Sequence, residues 1–168
     1  EHPLSVHGVS LSLAGCAPPD AARLRRLAEI VRRFEPALVS EHLAWSGWGG
    51  AYLPDLLPFA RTSEALQTVC RNIDQVQHAL DRRIAIENPA HYLHLPGHDW
   101  SETDFLRELV RRSGCRLLLD VNNVAVSAHN LGFCADDYLD EFPLDAVAEI
   151  HLAGHSVDAA LGEGLWID

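Results

Sequence analysis

The sequence is poor in basic residues and has no long apolar run. Its 13 basic residues stand against 24 acidic ones, which gives a formal net charge of -11. Because this charge repels polyanions, we expect neither nucleic acid nor an anionic membrane surface to be the main partner. No apolar stretch is long enough to span a bilayer and no signal peptide is recognisable, so we also expect no membrane insertion.

Paired cysteines and nucleotide-binding motifs are missing as well. The four cysteines are widely spaced and form no C-x-x-C motif; they are Cys16, Cys70, Cys115 and Cys134. We interpret them as reduced, buried apolar side chains of a cytoplasmic protein, not as a disulfide framework or a zinc knuckle. Since the chain has neither a G-x-G-x-x-G nor a Walker motif, a nucleotide-binding fold has no support.

Methionine is absent altogether. The sequence runs almost at once into a predicted strand and ends without a closing helix. With 168 residues and 48% hydrophobic composition, the chain can form one domain with a substantial core. We therefore expect residues 1–168 to be a single domain and an internal segment of a longer protein.

Predicted strands alternate with predicted helices along the chain. Apolar residues at helical spacing, with Asp20 and Ser101 as N-caps, predict helices over residues 20–34, 63–80, 101–112 and 136–142. Short apolar or alternating runs predict strands at residues 4–13, 37–44, 83–86, 117–119 and 146–152. Such alternation is typical of an α/β fold with parallel strands, wound either into an open sheet or into a barrel.

The sequence allows two roles for each of two predicted loops. Residues 45–58 contain Trp45, Trp48 and three glycines, and they follow the second predicted strand. The tryptophans either cover a pocket or pack on the rim of the sheet. Residues 90–100 contain His91, His94 and His98, which can bind a metal in principle, although a solvated loop is the favoured interpretation.

Each of the five predicted strands has a polar side chain within it or directly after it, towards its carboxyl end. In chain order they are His7, His42, Glu87, Asp120 and His151. A single buried histidine is usually a hydrogen-bonded core residue, but five such groups at equivalent strand ends are hard to explain in that way. In a parallel barrel these ends converge on one face, where imidazole and carboxylate groups together suit Fe, Mn, Zn or Co. This set exceeds the needs of one tetrahedral ion, so the sequence predicts more than one.

Four further polar residues follow these strand ends. They are Asn122, Asn123, His155 and Asp168. Asparagine is a weak ligand, but its carbonyl oxygen can bind a metal or orient a neighbouring ligand. His151 and His155 are four residues apart, and because the residues before them read as a strand, we favour His151 as the ligand and leave His155 secondary.

Five motifs in this order carry a family resemblance. They are HGVSLS at residues 7–12, SEHLAWS at 40–46, IENP at 86–89, LLLDVNN at 117–123 and IHLAGH at 150–155. With them the chain resembles, over essentially its whole length, the multinuclear non-haem iron-dependent oxidative enzymes, long described as a family of unknown function. The resemblance implies a TIM-type barrel related to xylose isomerase, with two or three iron ions at its C-terminal mouth. It also implies that molecular oxygen is used to modify cysteine residues of a ribosomally made precursor peptide, which a partner protein often delivers.

The resemblance further implies roles for individual residues. The expected iron ligands are His7, His42, Glu87, Asp120 and His151. Glu87 would bridge two ions, and Glu87 and Asp120 would be the catalytic carboxylates. Asn123 matches a position where some members bear another ligand, and Asp168 matches the aspartate of an Asp-Thr-His motif.

The sequence departs from the family pattern at both ends. The family barrel has two more strands before His2 and one after Asp168. The histidine of the Asp-Thr-His motif and a late glutamate ligand also lie outside this sequence. We therefore expect a partial barrel of about five parallel strands, matching strands three to seven of eight, with unpaired edges and an incomplete metal site.

Two other functions stay open. A divalent-metal sugar isomerase or epimerase could use the same barrel and ligand types without consuming oxygen. A truncated barrel could instead serve as a non-catalytic binding module, which would not bind metal tightly. A metal-dependent DNA-repair nuclease is disfavoured by the acidic charge.

Overall fold

The computed structural model describes residues 2–158 and 164–168. Its strands are β1 (Ser5–Gly8), β2 (Leu38–His42), β3 (Trp45–Trp48), β4 (Ala51–Leu57), β5 (Ala85–Glu87), β6 (Arg116–Asp120), β7 (Val147–His151), β8 (Ser156–Val157) and β9 (Trp166–Ile167). Its helices are α1 (Ala21–Phe34), α2 (Ser63–Leu80), α3 (Glu102–Ser113), α4 (Val121–Leu131) and α5 (Ala135–Glu141), with a 3-10 turn at Leu144–Ala146.

Five parallel strands form the central sheet, in the order β1-β2-β5-β6-β7. Helices connect these strands, as the alternating pattern predicts. The sheet is curled, because Ser5 on its first strand donates a hydrogen bond of 2.9 Å to Glu149 on its last strand. The two outer strands therefore face each other across the concave side. The architecture is a curled half-barrel, and it confirms the predicted α/β fold with five parallel strands.

The helices cover the convex side of the sheet and build the core with it. The apolar stripe of α2 is buried, and in α3 Phe105, Leu106 and Leu109 are fully covered. These side chains belong to one cluster with Ile86 and Leu117 of the sheet. Burial of apolar surface on the convex side contributes about 25 cal/mol per Å² to the stability of the fold. The core therefore lies on that side, and the concave side can carry polar groups.

The first strand is shorter than predicted. It ends at Gly8, and the chain then turns through Ser12, which has a φ of 56°. Leu11 and Leu13 are nevertheless buried. These two residues belong to a loop that enters the core. Because they alternate with polar residues, this loop has the sequence pattern of a longer strand.

The predicted loop after β2 is a β-hairpin. Strands β3 and β4 pair antiparallel, and Gly49 and Gly50 join them with φ of 57° and 82°. A two-residue Gly-Gly connection between alternating segments is a recognised hairpin signal. The loop prediction is therefore wrong, although the sequence contains the signal for the correct structure.

Helix α4 is absent from the sequence-based prediction. It begins directly after Asp120, whose carboxylate caps it by accepting the N–H of Asn123 at 2.7 Å. It ends at Gly132, which has a left-handed φ of 74°. The helix places Asn122 and Asn123 in its first turn, immediately beside the end of β6.

The cysteines fit their prediction only in part. All four are free, and Cys70 and Cys115 are buried as expected. Cys16 and Cys134 are exposed, because one lies in the loop after β1 and the other stands at the start of α5. None of the helices among residues 2–158 and 164–168 is long and apolar enough to cross a membrane.

Candidate metal centre

The curl of the sheet brings the carboxyl ends of its strands together on the concave side. The neighbours across the strands are His7 and Ser40, His42 and Glu87, and Asp120 and His151. Side chains alternate between the two faces of a strand. The five strand-end residues that the sequence singles out therefore meet at one place, as predicted.

Three of them form a first ligand group, His7, His42 and Glu87. The Nε2 atom of His7 lies 2.8 Å from Oε2 of Glu87, and Nε2 of His42 lies 3.0 Å from the same oxygen. The two Nε2 atoms are 3.3 Å apart. Two imidazole nitrogens thus converge on one oxygen of a carboxylate that is itself buried.

Hydrogen bonds at Nδ1 orient both rings. Nδ1 of His42 lies 2.9 Å from the carbonyl oxygen of Gly8, which can only accept, so Nδ1 carries a proton and Nε2 is the nitrogen that faces Glu87. Nδ1 of His7 lies 2.7 Å from Oγ of Ser40. Oε2 of Glu87 has no partner in hydrogen-bonding geometry among the described residues, despite its two short contacts. Such an arrangement is unfavourable unless a cation, either a metal ion or a proton, lies between these atoms.

The spacing of this group fits a metal ion. Two ligand atoms that bind one ion at ~2.1 Å and at right angles lie about 3.0 Å apart. The three measured separations of 2.8, 3.0 and 3.3 Å lie around that value. Two imidazoles and one carboxylate on one side of an ion also form the facial set that is typical of non-haem Fe(II) oxygenases.

The other oxygen of Glu87 belongs to a second ligand group with Asp120 and His151. Oε1 of Glu87 lies 3.7 Å from Nδ1 of His151. Each member of the group offers one ligand atom, and these atoms lie within 4.8 Å of one another. One carboxylate therefore faces both groups, as bridging carboxylates do in two-metal sites.

Asparagine amides hold the second group in place. Asn88 exchanges hydrogen bonds with the backbone of Asp120, and its own carbonyl accepts the amide of Asn123 at 2.9 Å. Oδ1 of Asn123 is buried and has no hydrogen-bond partner within the described part of the chain. This oxygen is free to bind an ion or a water, so the ligand role of Asn123 stays a prediction.

A buried carboxylate fixes the loop that follows β1. Glu41 accepts the backbone N–H of Leu11 and that of His42, each at 3.1 Å. Gly8 packs so closely on Glu41 that a Cβ at residue 8 would lie 2.6 Å from Oε2. Glycine is therefore required here for close approach, and this packing keeps the carbonyl of Gly8 aligned with His42.

The two carboxylates of the centre have opposite pKa shifts. Burial alone would raise the pKa of Glu87, but its three imidazole neighbours lower it below the ordinary value. Burial raises the pKa of Asp120 despite the opposing N–H of Asn123, and the charges of Glu87 and Asp168 add to the rise. Burial would lower the pKa of His42, yet the adjacent carboxylates and the Gly8 carbonyl raise it. Perturbed groups of this kind, clustered on a concave face, are typical of functional sites.

Two other predicted residues lie beside the ligand groups. Asn122 donates from Nδ2 to Oδ1 of Asp168 at 2.6 Å, and the charge of Asp168 contributes to the raised pKa of Asp120. Asp168 belongs to neither ligand group of the described residues. His155 stacks on Trp166 with the ring centroids 3.7 Å apart, so it too lies outside both groups.

The histidine-rich loop forms a separate cluster. Oε2 of Glu102 lies 2.7 Å from Nε2 of His91 and 3.4 Å from Nη1 of Arg61. His98 accepts the backbone N–H of Arg61 at 2.9 Å. Within residues 2–158 and 164–168 none of these histidines joins a three-ligand group. The favoured solvated interpretation applies to the exposed His94 but is wrong for His91, which is half-buried against Glu102.

The β3–β4 hairpin follows the candidate centre in the chain, since it begins three residues after His42. Trp45 is half-buried and donates from Nε1 to the carbonyl of Pro58 at 2.7 Å. Trp48 is 68% exposed and Tyr52 is 42% exposed. Trp45 therefore packs on the rim, whereas Trp48 and Tyr52 leave aromatic surface on the hairpin, where the guanidinium of Arg23 lies 4.2 Å from the centroid of the Tyr52 ring.

Sequence reasoning missed the residues that support the ligands. Ser40, Glu41 and Asn88 all lie within the quoted motifs, but no role follows from their positions alone. Ser40 precedes His42 by two residues and so shares its face, which is a usable signal. The role of Glu41 depends on its packing against Gly8, and the sequence has no signal for that contact.

A family model described as RiPP precursor modification enzyme MbnB/TglH/ChrH matches residues 1–168. The chain is 55% identical over 166 residues to a UPF0276 protein of Caulobacter vibrioides (strain NA1000 / CB15N), covering 99% of this chain and 59% of that protein. It is 59% identical over 165 residues to a UPF0276 protein of Caulobacter sp. (strain K31), covering 98% and 59%. For a UPF0276 protein of Vibrio vulnificus (strain CMCP6) the identity is 48% over 165 residues, covering 98% and 57%. The chain thus spans less than two thirds of the length of these relatives.

Two solved structures share the fold. The apo form of 3-keto-D-glucoside 4-epimerase, YcjR, from E. coli aligns with a TM-score of 0.56 at 14% identity, covering 90% of this chain and 59% of that one. D-psicose 3-epimerase in the presence of D-fructose aligns with a TM-score of 0.52 at 13% identity, covering 89% and 52%. At these identities the similarity concerns the fold alone. It confirms the predicted TIM-type barrel related to xylose isomerase, which is present here as a curled half-barrel.

Proposed function

The chain belongs to the MbnB/TglH/ChrH family of RiPP precursor modification enzymes, and on that premise we propose a specific activity for it. It acts as an oxidative enzyme that uses two or more non-haem iron ions and molecular oxygen to modify cysteine residues of a ribosomally made precursor peptide. Membership of a family of RiPP precursor modification enzymes supports a peptide substrate. The choice of iron, oxygen and cysteine rests on the ligand pattern together with the resemblance of the five motifs.

One observation supports a metal-dependent activity above the others. The carboxylate of Glu87 faces two ligand groups at once, with Oε2 toward His7 and His42 and Oε1 toward His151. A buried oxygen without a hydrogen bond in the described part of the chain, close to two imidazole nitrogens, supports a cation at that point. The two-histidine, one-carboxylate set favours iron over a structural zinc, which would use four protein ligands and often thiolates.

The residues of the chain divide the work of such a centre. His7 and His42 would hold the first ion, with their rings fixed through Nδ1. Glu87 would keep the two sites at a fixed separation, and its lowered pKa keeps it ionised for that task. Oδ1 of Asp120 accepts the N–H of Asn123, so the other oxygen of this carboxylate is available to the second ion. Bound iron would supply the one-electron and oxygen chemistry that side chains lack.

Glu87 and Asp120 are the catalytic carboxylates of this proposal, because they would hold the two ions at a fixed separation beside the substrate cysteine. We assign Asn123 and Asp168 to the outer ligand positions that the motifs imply.

The aromatic surface of the β3–β4 hairpin, which follows His42 in the chain, suits a peptide. Trp48 and Tyr52 are exposed on the β3–β4 hairpin, and aromatic side chains are enriched at the centre of protein interfaces. A partner protein that delivers the peptide is part of the proposal. So is a cytoplasmic location, which the four free thiols favour. We further propose that the five strands are strands three to seven of an eight-stranded barrel.

Two alternatives have their own observations. The fold of the epimerases YcjR and D-psicose 3-epimerase is compatible with a sugar isomerase or epimerase, and such an enzyme would consume no oxygen. The half-barrel shape is compatible with a non-catalytic binding module, and such a module would not hold ions tightly. Oxygen uptake and metal content therefore separate the three functions.

Metal content is the first test. The protein would be purified without oxygen, loaded with Fe(II), freed of excess metal and analysed for iron per chain. We expect at least two ions for the wild type, one fewer for His42→Ala or Asp120→Asn, and almost none for Glu87→Ala. His155→Ala is the matched control, because this ring stacks on Trp166 outside both groups, and it should keep full iron content.

Oxygen uptake is the second test. The iron-loaded protein should consume oxygen with a cysteine-containing precursor peptide and not with the same peptide carrying serine in place of cysteine. Full iron content in both Glu87→Ala and His42→Ala would contradict the ligand assignment. Iron binding without peptide-dependent oxygen uptake would favour the epimerase alternative.

A further inference from the structure

The three histidines of the centre differ in what supports their outward-facing nitrogen. Nδ1 of His7 has the hydroxyl of Ser40, and Nδ1 of His42 has the carbonyl of Gly8. Metal-binding histidines nearly always donate their second N–H to an oxygen of this kind, which fixes the tautomer and the ring. The corresponding partner of His151 is therefore worth identifying.

Glu149 occupies that position. It lies on β7 two residues before His151, so both side chains project to the concave face. Nδ1 of His151 faces Glu87 at 3.7 Å, and Nε2 of the same ring faces Oε1 of Glu149 at 3.8 Å. The two nitrogens of this ring are thus divided between the ligand group and a carboxylate outside it.

The carboxylate of Glu149 is itself held from the opposite edge of the sheet. Its Oε2 accepts the hydroxyl of Ser5 at 2.9 Å, across a sequence separation of 144 residues. This bond leaves Oε1 as the oxygen that faces His151. The Glu149 side chain is 19% exposed, so solvent only partly screens its charge from the imidazole.

We propose that Glu149 is a positioning residue for the second ion, and that it acts by accepting the Nε2–H of His151 so that Nδ1 is free to bind. The inference rests on the metal centre of the proposed function. The present 3.8 Å separation must shorten by roughly 1 Å to form a hydrogen bond. A ring drawn toward an ion on its Nδ1 side can make that adjustment by a small rotation.

This role makes the two sites unequal. A carboxylate partner raises the basicity of a ligating imidazole more than a hydroxyl or a carbonyl does. In the first group Nδ1 of His42 is already held by the Gly8 carbonyl at 2.9 Å, with the carboxylate of Glu41 farther away at 3.9 Å, and Nδ1 of His7 is held by Ser40. In the second group the carboxylate of Glu149 is the oxygen partner that we assign to His151. The second ion would therefore depend on Glu149, and the first would not.

Cobalt(II) titration tests the inference without using activity. The probe is Co(II) itself, added without oxygen and followed by its visible absorption, so that two binding steps are resolved. Glu149→Gln keeps the size and can still accept the Ser5 hydroxyl, but it removes the charge. We expect it to weaken one step by about 10–100-fold and to leave the other within a factor of about two. Ser5→Ala should weaken the same step to a smaller extent.

Two marker variants identify the affected step. Asp120→Asn should weaken cobalt binding at the second group. Ser40→Ala should weaken cobalt binding at the first group, because it removes the partner of Nδ1 of His7. Glu149→Gln should weaken the step that Asp120→Asn weakens, and the Tm of the metal-free protein should be unchanged. In the double variant Glu149→Gln with Asp120→Asn, the loss of binding free energy at that step should be smaller than the sum of the losses in the single variants, because both residues act on one ion.

Each other outcome overturns the inference. Equal weakening of both steps with a lower metal-free Tm would mean that Glu149 only braces the two sheet edges through Ser5. Unchanged affinities in Glu149→Gln would remove its link to His151 while leaving the proposed function intact. Failure of the wild-type protein to bind two cobalt ions would instead refute the two-ion centre and this inference together.

Discussion

Asn88 and Asp120 exchange two hydrogen bonds between neighbouring strands. The Asn88 side chain donates to the carbonyl of Asp120 at 3.0 Å, and the N–H of Asp120 donates to Oδ1 of Asn88 at 2.9 Å. The amide is buried, so water does not compete for these bonds. Because Glu87 and Asp120 are the last residues of β5 and β6, this exchange keeps the two carboxylates of the candidate centre at a fixed separation.

Removal of this exchange should cost both stability and metal binding. Asn88→Ala leaves a buried donor and a buried acceptor of Asp120 unpaired, and we expect the free energy of unfolding to fall by about 2–3 kcal/mol. Denaturant unfolding of the metal-free protein measures this change. Asn122→Ala is the matched control, since that amide donates only one bond, to Asp168. An equal loss in the two variants would contradict a special role for Asn88.

A methyl group at residue 8 should disturb the first ligand group. In Gly8→Ala the new Cβ would lie 2.6 Å from Oε2 of Glu41, so the carboxylate must move and release the N–H groups of Leu11 and His42. We expect a loss of about 1–3 kcal/mol in unfolding free energy and weaker binding of the ion at His42.

Gly47→Ala provides the comparison for that variant. A Cβ at residue 47 would meet its nearest neighbours at 3.8 Å, which is ordinary contact. Its unfolding free energy should stay within about 0.5 kcal/mol of the wild type. If Gly8→Ala bound cobalt or iron as well as Gly47→Ala, the packing of Gly8 on Glu41 would not matter for the centre.

The strand-end residues of the candidate centre could be predicted from the sequence because they are polar groups at the ends of predicted strands. Glu87 and Asp120 show this most clearly, since each follows a short apolar run, and a parallel sheet then brings these ends together without further information. The hairpin and α4 carried readable signals too, namely the Gly49-Gly50 turn and Asp120 as an N-cap. The sequence did not predict these elements because glycine, tryptophan and asparagine are equally typical of loops at functional sites.

The supporting contacts could not be predicted in this way. Ser5 and Glu149 meet only because the sheet curls, and its curvature has no local signature in the sequence. The contact of Gly8 with Glu41 likewise depends on the exact stagger of β1 against β2. Both relationships involve residues more than 30 positions apart, so they follow from the fold and not from periodicity.

The ion pair of Glu102 should make stability depend on pH. Burial would raise the pKa of Glu102, but His91 and Arg61 lower it below the ordinary value of 4.5. A carboxylate with a lowered folded-state pKa stabilises the protein above its unfolded-state pKa, and this contribution is lost as the pH falls through the folded value. Glu102→Gln should therefore lose about 1–3 kcal/mol at pH 7, and the difference from wild type should shrink below pH ~4.5.

Urea unfolding at several pH values from 7 to 3 measures this difference. Glu108→Gln is the control, because Glu108 pairs with Arg111 and Arg112 in solvent, where such pairs contribute little. A difference between Glu102→Gln and wild type that stayed constant down to pH 3 would refute the ion-pair explanation.

The two tryptophans of the hairpin should separate peptide binding from folding. Trp48 is 68% exposed, so Trp48→Ala should change the unfolding free energy by less than about 0.5 kcal/mol. Under the proposed function it contacts the precursor peptide away from the reacting cysteine, and its loss should raise KM at least about fivefold with kcat unchanged. Trp45→Phe is the matched variant. It loses the hydrogen bond from Nε1 to the carbonyl of Pro58, so its unfolding free energy should fall by about 1 kcal/mol, whereas its KM should not change. Steady-state oxygen uptake against peptide concentration measures KM, and an unchanged KM in Trp48→Ala would exclude the hairpin from the peptide site.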